Sequence, residues 1–198
     1  MSRKLATGVA AAVALLVYAQ PASAHPGHFG HEFGDGALHP LFGLDHLLAM
    51  VAVGLLAARL GGAAIWQVPA AFLATMLAGG ILGALGVPVP AAEYAIGISV
   101  LVLGLLVALG RTVSPKWAVL LVAAFALFHG HAHAAEMAAE GTFGAYASGF
   151  LLSTAMLHAT GIVLALGLSR LVDPRAVRLC GAAISAASLL ILVPMLTG

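Results

Sequence analysis

Charge is what this chain has least of. Asp, Glu, Lys and Arg make up only 8% of its 198 residues, against about 25% in a soluble domain. So little charge cannot cover a water-soluble globule of this length. With 62% of residues hydrophobic, the sequence reads as an integral membrane protein. The net charge is +1 and no basic stripe occurs, which argues against nucleic-acid binding. Cysteine is nearly absent. Cys180 stands alone, so an internal disulfide is excluded. Its apolar neighbours suit a small buried hydrophobe better than a metal ligand. No G-x-x-x-x-G-K-[ST] loop is present, so the chain does not itself hydrolyse nucleotide.

What is there is a series of apolar runs with a few ionisable groups set inside them. Residues 1–24 read as a secretory signal: Arg3 and Lys4, a short apolar stretch, then Ala22-Ser23-Ala24 as a cleavage site. The alternative is a first transmembrane helix. Residues 25–38 form a polar, His-rich tail, expected to be periplasmic. Six apolar segments follow at about 39–58, 66–86, 92–110, 117–135, 145–169 and 176–197. Each approaches the ~20 residues that cross a bilayer. The expected fold is all-α: a polytopic membrane bundle of about six helices over residues 39–198.

The loop charges give the orientation. With the tail outside, Arg59, Arg111, Lys116, Arg170, Arg175 and Arg178 all fall inside. The outer loops hold Glu93, Glu136 and Glu140 and no Lys or Arg. This positive-inside pattern predicts a bacterial inner-membrane protein with both mature termini periplasmic. Small residues such as Gly79, Gly80, Gly83, Gly97 and Gly104 suit close helix packing.

Ionisable groups inside a bilayer are costly and persist there mainly for function. His39-Pro-Leu-Phe-Gly-Leu-Asp45-His46 heads the first run, and His129-Gly-His131-Ala-His133-Ala-Ala-Glu136 sits in the fourth. His46 is 13 residues from Arg59, His129 is 13 from Lys116 and His158 is 12 from Arg170. At 1.5 Å per residue all three lie about 18–20 Å from the inner face, and Ser99 reaches the same layer. His39 and His46 are seven apart and share a face of the first helix, and Met50, four beyond His46, continues it. His129, His133 and Glu136 also share a face, and His131 points away from it.

Neutral imidazole suits nickel, cobalt, copper and zinc, and a carboxylate beside it offsets charge and orients the ring. The candidate ligands are therefore His39, Asp45, His46, His129, His133, Glu136 and His158, with His25, His28, His131, Glu93, Met50 and Ser99 as weaker candidates. Each has a plainer reading. His39 is interfacial beside Pro40, Asp45 and His46 form a structural pair, Met50 is packing, His158 is a helix–helix donor, and Glu93 is a solvated loop carboxylate. The residues leave open a permease, an intramembrane zinc hydrolase with Asp45 or Ser99 assisting, and a haem-binding electron carrier, though no C-x-x-C-H attachment motif occurs.

The motifs His39-Pro40-Leu-Phe-Gly43-Leu-Asp45-His46-Leu-Leu-Ala-Met50 and Phe128-His129-Gly130-His131-Ala132-His133-Ala-Ala-Glu136 resemble those of the HupE/UreJ family of nickel and cobalt permeases. Pro90-Ala-Ala-Glu93 through Gly104, and His158-Ala-Thr-Gly161, are similar to its third and fifth spans. Ala134 departs from the family pattern, which has Gly there. Five residues separate His39 from Asp45, unlike the H-x4-D-H motif of the separate nickel–cobalt transporter family. The resemblance covers essentially all of the mature chain. It implies a cleaved signal, about six spans and uptake of Ni2+ or Co2+ into the cytoplasm, with the metal as cargo and no fixed cofactor. The expected partners are the ion and the bilayer, and a metallochaperone or a homo-oligomer is left open.

Overall fold

The computed structural model describes residues 32–110, 113–137 and 143–197, with the side chains of 135–137 outside that description. The signal-peptide expectation, His25 and His28 therefore lie outside the described residues. Seven helices and no strand are present among them: α1 Glu32–Phe42, α2 Leu44–Leu60, α3 Ala64–Ala84, α4 Ala92–Leu109, α5 Pro115–Met137, α6 Phe143–Leu171 and α7 Pro174–Thr197. Five are long and apolar enough to cross a bilayer, and α1 with α2 meets the same length and hydropathy only as a bent pair, which makes six if the pair is one broken span. The chain is a polytopic helical membrane bundle.

The broken span corrects the sequence reading. Residues 39–58 were expected as one helix, but α1 and α2 meet at a 79° bend. Gly43 breaks the run with φ −81° and ψ 113°, an extended conformation. The bend exposes backbone N–H groups at the start of α2, and the Asp45 carboxylate accepts one of them from His46 at 2.8 Å. An acidic residue in this first turn also complements the positive end of the helix dipole. The helix begins at Glu32, inside the stretch read as a tail. Gly34 and Gly36 hid it, because glycine lowers helix propensity. Gly36 is there because α1 lies against α6, where a Cβ would strike the Tyr146 backbone.

α2 is the central element. Apart from Val51, every residue from 48 to 57 is buried. The other helices enclose it in pairs that approach at small residues. Gly54 and Gly161 face each other between α2 and α6, and Gly79 and Gly130 bring α3 against α5. A Cβ at any of these four would meet backbone of the opposite helix. In a bilayer such close contact replaces hydrophobic exclusion as the source of association. Gly97 and Gly104 likewise face α7, as the sequence suggested.

The basic groups gather at one end. Arg59, at the end of α2, donates to the Val107 carbonyl, and Arg178 of α7 donates to the Ala108 carbonyl at 2.9 Å. Both satisfy carbonyls left open where α4 stops at Gly110, which has φ 67°.

Candidate metal centre

The bend at Gly43, the start of α2 and the last turns of α5 converge on one point. α2 contributes Asp45 and His46, α5 contributes His129 and His133, α4 contributes Ser99, and α1 contributes His39. Burial is nearly complete: His46 is 2% exposed, His129 0%, His133 7% and Ser99 0%. The Asp45 side chain keeps 27% of its surface exposed and forms an accessible edge of the cluster.

Three imidazole nitrogens meet. His46 Nε2 stands 2.8 Å from His129 Nδ1 and 2.5 Å from His133 Nε2. The surrounding groups assign the protons. The Asp45 carboxylate is an acceptor, so His46 Nδ1–H donates to it at 2.9 Å and His46 Nε2 carries a lone pair. Ser99 Oγ donates to the Ile96 carbonyl at 2.6 Å and then accepts from His129 Nε2–H at 2.9 Å. That leaves a lone pair on His129 Nδ1 as well. These assignments follow from the hydrogen-bond network. His46 Nε2 and His129 Nδ1 then face each other at 2.8 Å, a separation that holds a proton between them and a metal ion only once the rings part. The pattern is that of metal-binding histidines, whose second nitrogen is fixed by a carboxylate or another oxygen.

The nitrogens are closer than metal ligands would be. Bonds of about 2.1 Å place neighbouring ligand nitrogens roughly 3.0–3.4 Å apart. Among the described residues no three His, Cys, Asp or Glu side chains already stand in coordinating geometry. An ion would have to part the rings by up to about 1 Å. The donor set fits a divalent transition metal; the contracted geometry is that of a hydrogen-bonded cluster.

Aromatic rings line the cluster. The His39 ring packs edge-on to His133 with centroids 4.4 Å apart and lies 6.3 Å from His46. Phe150 touches His133 at 5.0 Å, and Tyr146 stacks on Phe150 at 6.1 Å. Phe72 of α3 lies 5.7 Å from His129 and 5.0 Å from His158. Sequence reasoning missed these rings because a Phe in an apolar run carries no signal of its own. A narrow cleft of about 20 Å³ between α3, α5 and α6 reaches His133 past Met76, Gly130 and Phe143. A larger groove of about 440 Å³, lined by Trp66, Gln67 and Lys116, contains none of the histidines.

The remaining candidates fall elsewhere. The His131 ring meets the Val87 carbonyl at 2.7 Å, away from the cluster as the helical phase predicts. Met50 is fully buried in the apolar core. It stays four residues beyond His46 on α2, and the bend separates only His39 from that helix. Glu93 is exposed in the first turn of α4. Glu136 is in the last turn of α5, with its side chain outside the described residues. His158 is 1% exposed and packs on Phe72, which also packs on His129.

The family described as "HupE / UreJ protein" matches residues 13–191. Protein HupE of Rhizobium leguminosarum bv. viciae is 46% identical over 155 residues, covering 76% of this chain and 80% of that protein. No solved structure matches. With a family match spanning nearly the whole chain and a relative this similar, the protein belongs to the HupE/UreJ family.

Proposed function

We propose that the chain is a permease that carries a divalent transition metal, nickel or cobalt, across the bacterial inner membrane into the cytoplasm. The observation that carries this reading is the meeting of His46 Nε2 and His129 Nδ1 inside the bundle, with the other ring nitrogen of each against Asp45 and Ser99. His133 Nε2 supplies a third nitrogen and His39 closes the outer side. Membership of a hydrogenase and urease accessory family supports metal delivery as the purpose.

In this reading the ion leaves its water at the Asp45 edge. The carboxylate offsets its charge, and the rings part to ligate it. A transport site must bind well enough to displace water and weakly enough to release. Imidazole and carboxylate donors suit that better than a closed thiolate cage. An inside-negative potential favours inward movement by ~2.3 kcal/mol per charge per 100 mV. The described cleft at His133, about 20 Å³, has room for about one water.

The test is uptake of radioactive nickel and cobalt in cells without their own importers. At matched membrane levels, Asp45→Ala and His129→Ala are expected to lower uptake at least tenfold. Absence of uptake by well-expressed wild type would overturn the permease reading.

A further inference from the structure

Thr154 and His158 lie one turn apart on one face of α6, outside the imidazole cluster. Thr154 is 0% and His158 1% exposed. Among the described residues Thr154 Oγ1 and both ring nitrogens of His158 have no hydrogen-bond partner. Buried polar atoms without partners are rare, and each calls for an explanation such as a bound water or ion. Helical threonine normally satisfies itself by donating to a carbonyl in the preceding turn. Thr75, Thr160 and Thr197 do this, to Ala71, Met156 and Val193. Thr154 does not. These three unpaired donor and acceptor atoms thus lie on one face of α6, four residues apart.

Their position follows from the rings. α6 runs from the cluster, where Phe150 packs on His133, toward Arg170 at the basic end. His158 is eight residues past Phe150, about 12 Å along the helix. The Phe72 ring packs against both His129 and His158, with centroids 5.7 and 5.0 Å away. Thr154 and His158 therefore lie four and eight residues past the ring that packs on His133, on its basic-end side. Close backbone contact holds α6 there, since a Cβ on Gly54 would strike the His158 carbonyl.

We propose that His158 and Thr154 form a second station for the transported divalent cation, with an imidazole nitrogen and a hydroxyl oxygen as donors, between the cluster and the basic end. This rests on the permease reading above. A single imidazole and a hydroxyl hold an ion more weakly than three imidazoles, as a release step requires.

The experiment uses cobalt and thiolate substitutions in a Cys180→Ala background. Cobalt bound to a thiolate gives a near-ultraviolet charge-transfer band that imidazole does not. Purified His158→Cys and His129→Cys proteins are titrated with Co2+, and both are expected to show the band. His158→Leu is expected to keep cobalt affinity at the cluster within about twofold while uptake falls at least tenfold. A band in His129→Cys without one in His158→Cys overturns the second station and leaves the cluster standing. No band in either overturns both. Uptake by His158→Leu at the wild-type rate also overturns the station.

Discussion

At the scale of single residues, the cluster depends on groups that need never touch the ion. Asp45 and Ser99 decide which nitrogen of His46 and of His129 carries the lone pair. Loss of such an orienting partner typically lowers metal affinity 10–100-fold. Ser99→Ala removes only the oxygen that accepts from His129. It is expected to weaken cobalt binding by purified protein about tenfold without changing thermal stability much. Met50→Leu conserves volume in the apolar core and is expected to cost less than about 1.5 kcal/mol, with uptake unchanged. Equal effects of the two substitutions would contradict the assignment of Met50 to the core and Ser99 to the site. Much at this scale was legible in the sequence, because an ionisable group inside an apolar run is costly. His46, His129 and Ser99 share a depth measured from the loop charges, and the structure brings them into contact, whereas His158, given the same depth, stands apart from them behind Phe72. Phe72, Phe150 and Tyr146 were not legible, since their role comes only from packing.

At the scale of helices, close approach sets the aim of the imidazoles. Gly130 sits between His129 and His131, and a Cβ there would collide with the Met76 carbonyl of α3. Overpacking of this kind costs about 1–3 kcal/mol and would displace His129 as well. Gly130→Ala is therefore expected to lower both the melting temperature in detergent and metal uptake. Gly34 in α1 meets nothing within 4 Å. Gly34→Ala is expected to leave uptake unchanged and to hold or raise stability by up to about 1 kcal/mol. The break at Gly43 is the element the sequence concealed. Periodicity treats residues 39–58 as one helix, and only the extended backbone of one glycine divides it. The bend, and not a seven-residue repeat, brings His39 near His46 and His133.

At the scale of the whole molecule, two features share one axis. The imidazole cluster lies toward one end of the bundle, and Arg59 and Arg178 cap α4 at the other. The number of spans was legible because hydropathy and loop charge measure it directly. The helix pairing was not, since α3 with α5 and α4 with α7 depend on glycines spread over distant positions. Charge asymmetry predicts that the basic end faces the cytoplasm. Cysteine placed at Leu171 is expected to be labelled by an impermeant thiol reagent only after the membrane is opened, in a Cys180→Ala background. Labelling in intact spheroplasts would reverse the orientation and the direction of transport.

The central claim is that the facing imidazoles hold the transported ion. X-ray absorption of nickel bound to purified protein tests it most directly. The account predicts scattering from about three imidazoles at roughly 2.1 Å, lost in His129→Ala. Nickel surrounded only by oxygen, or an unchanged imidazole signal in that variant, would contradict it.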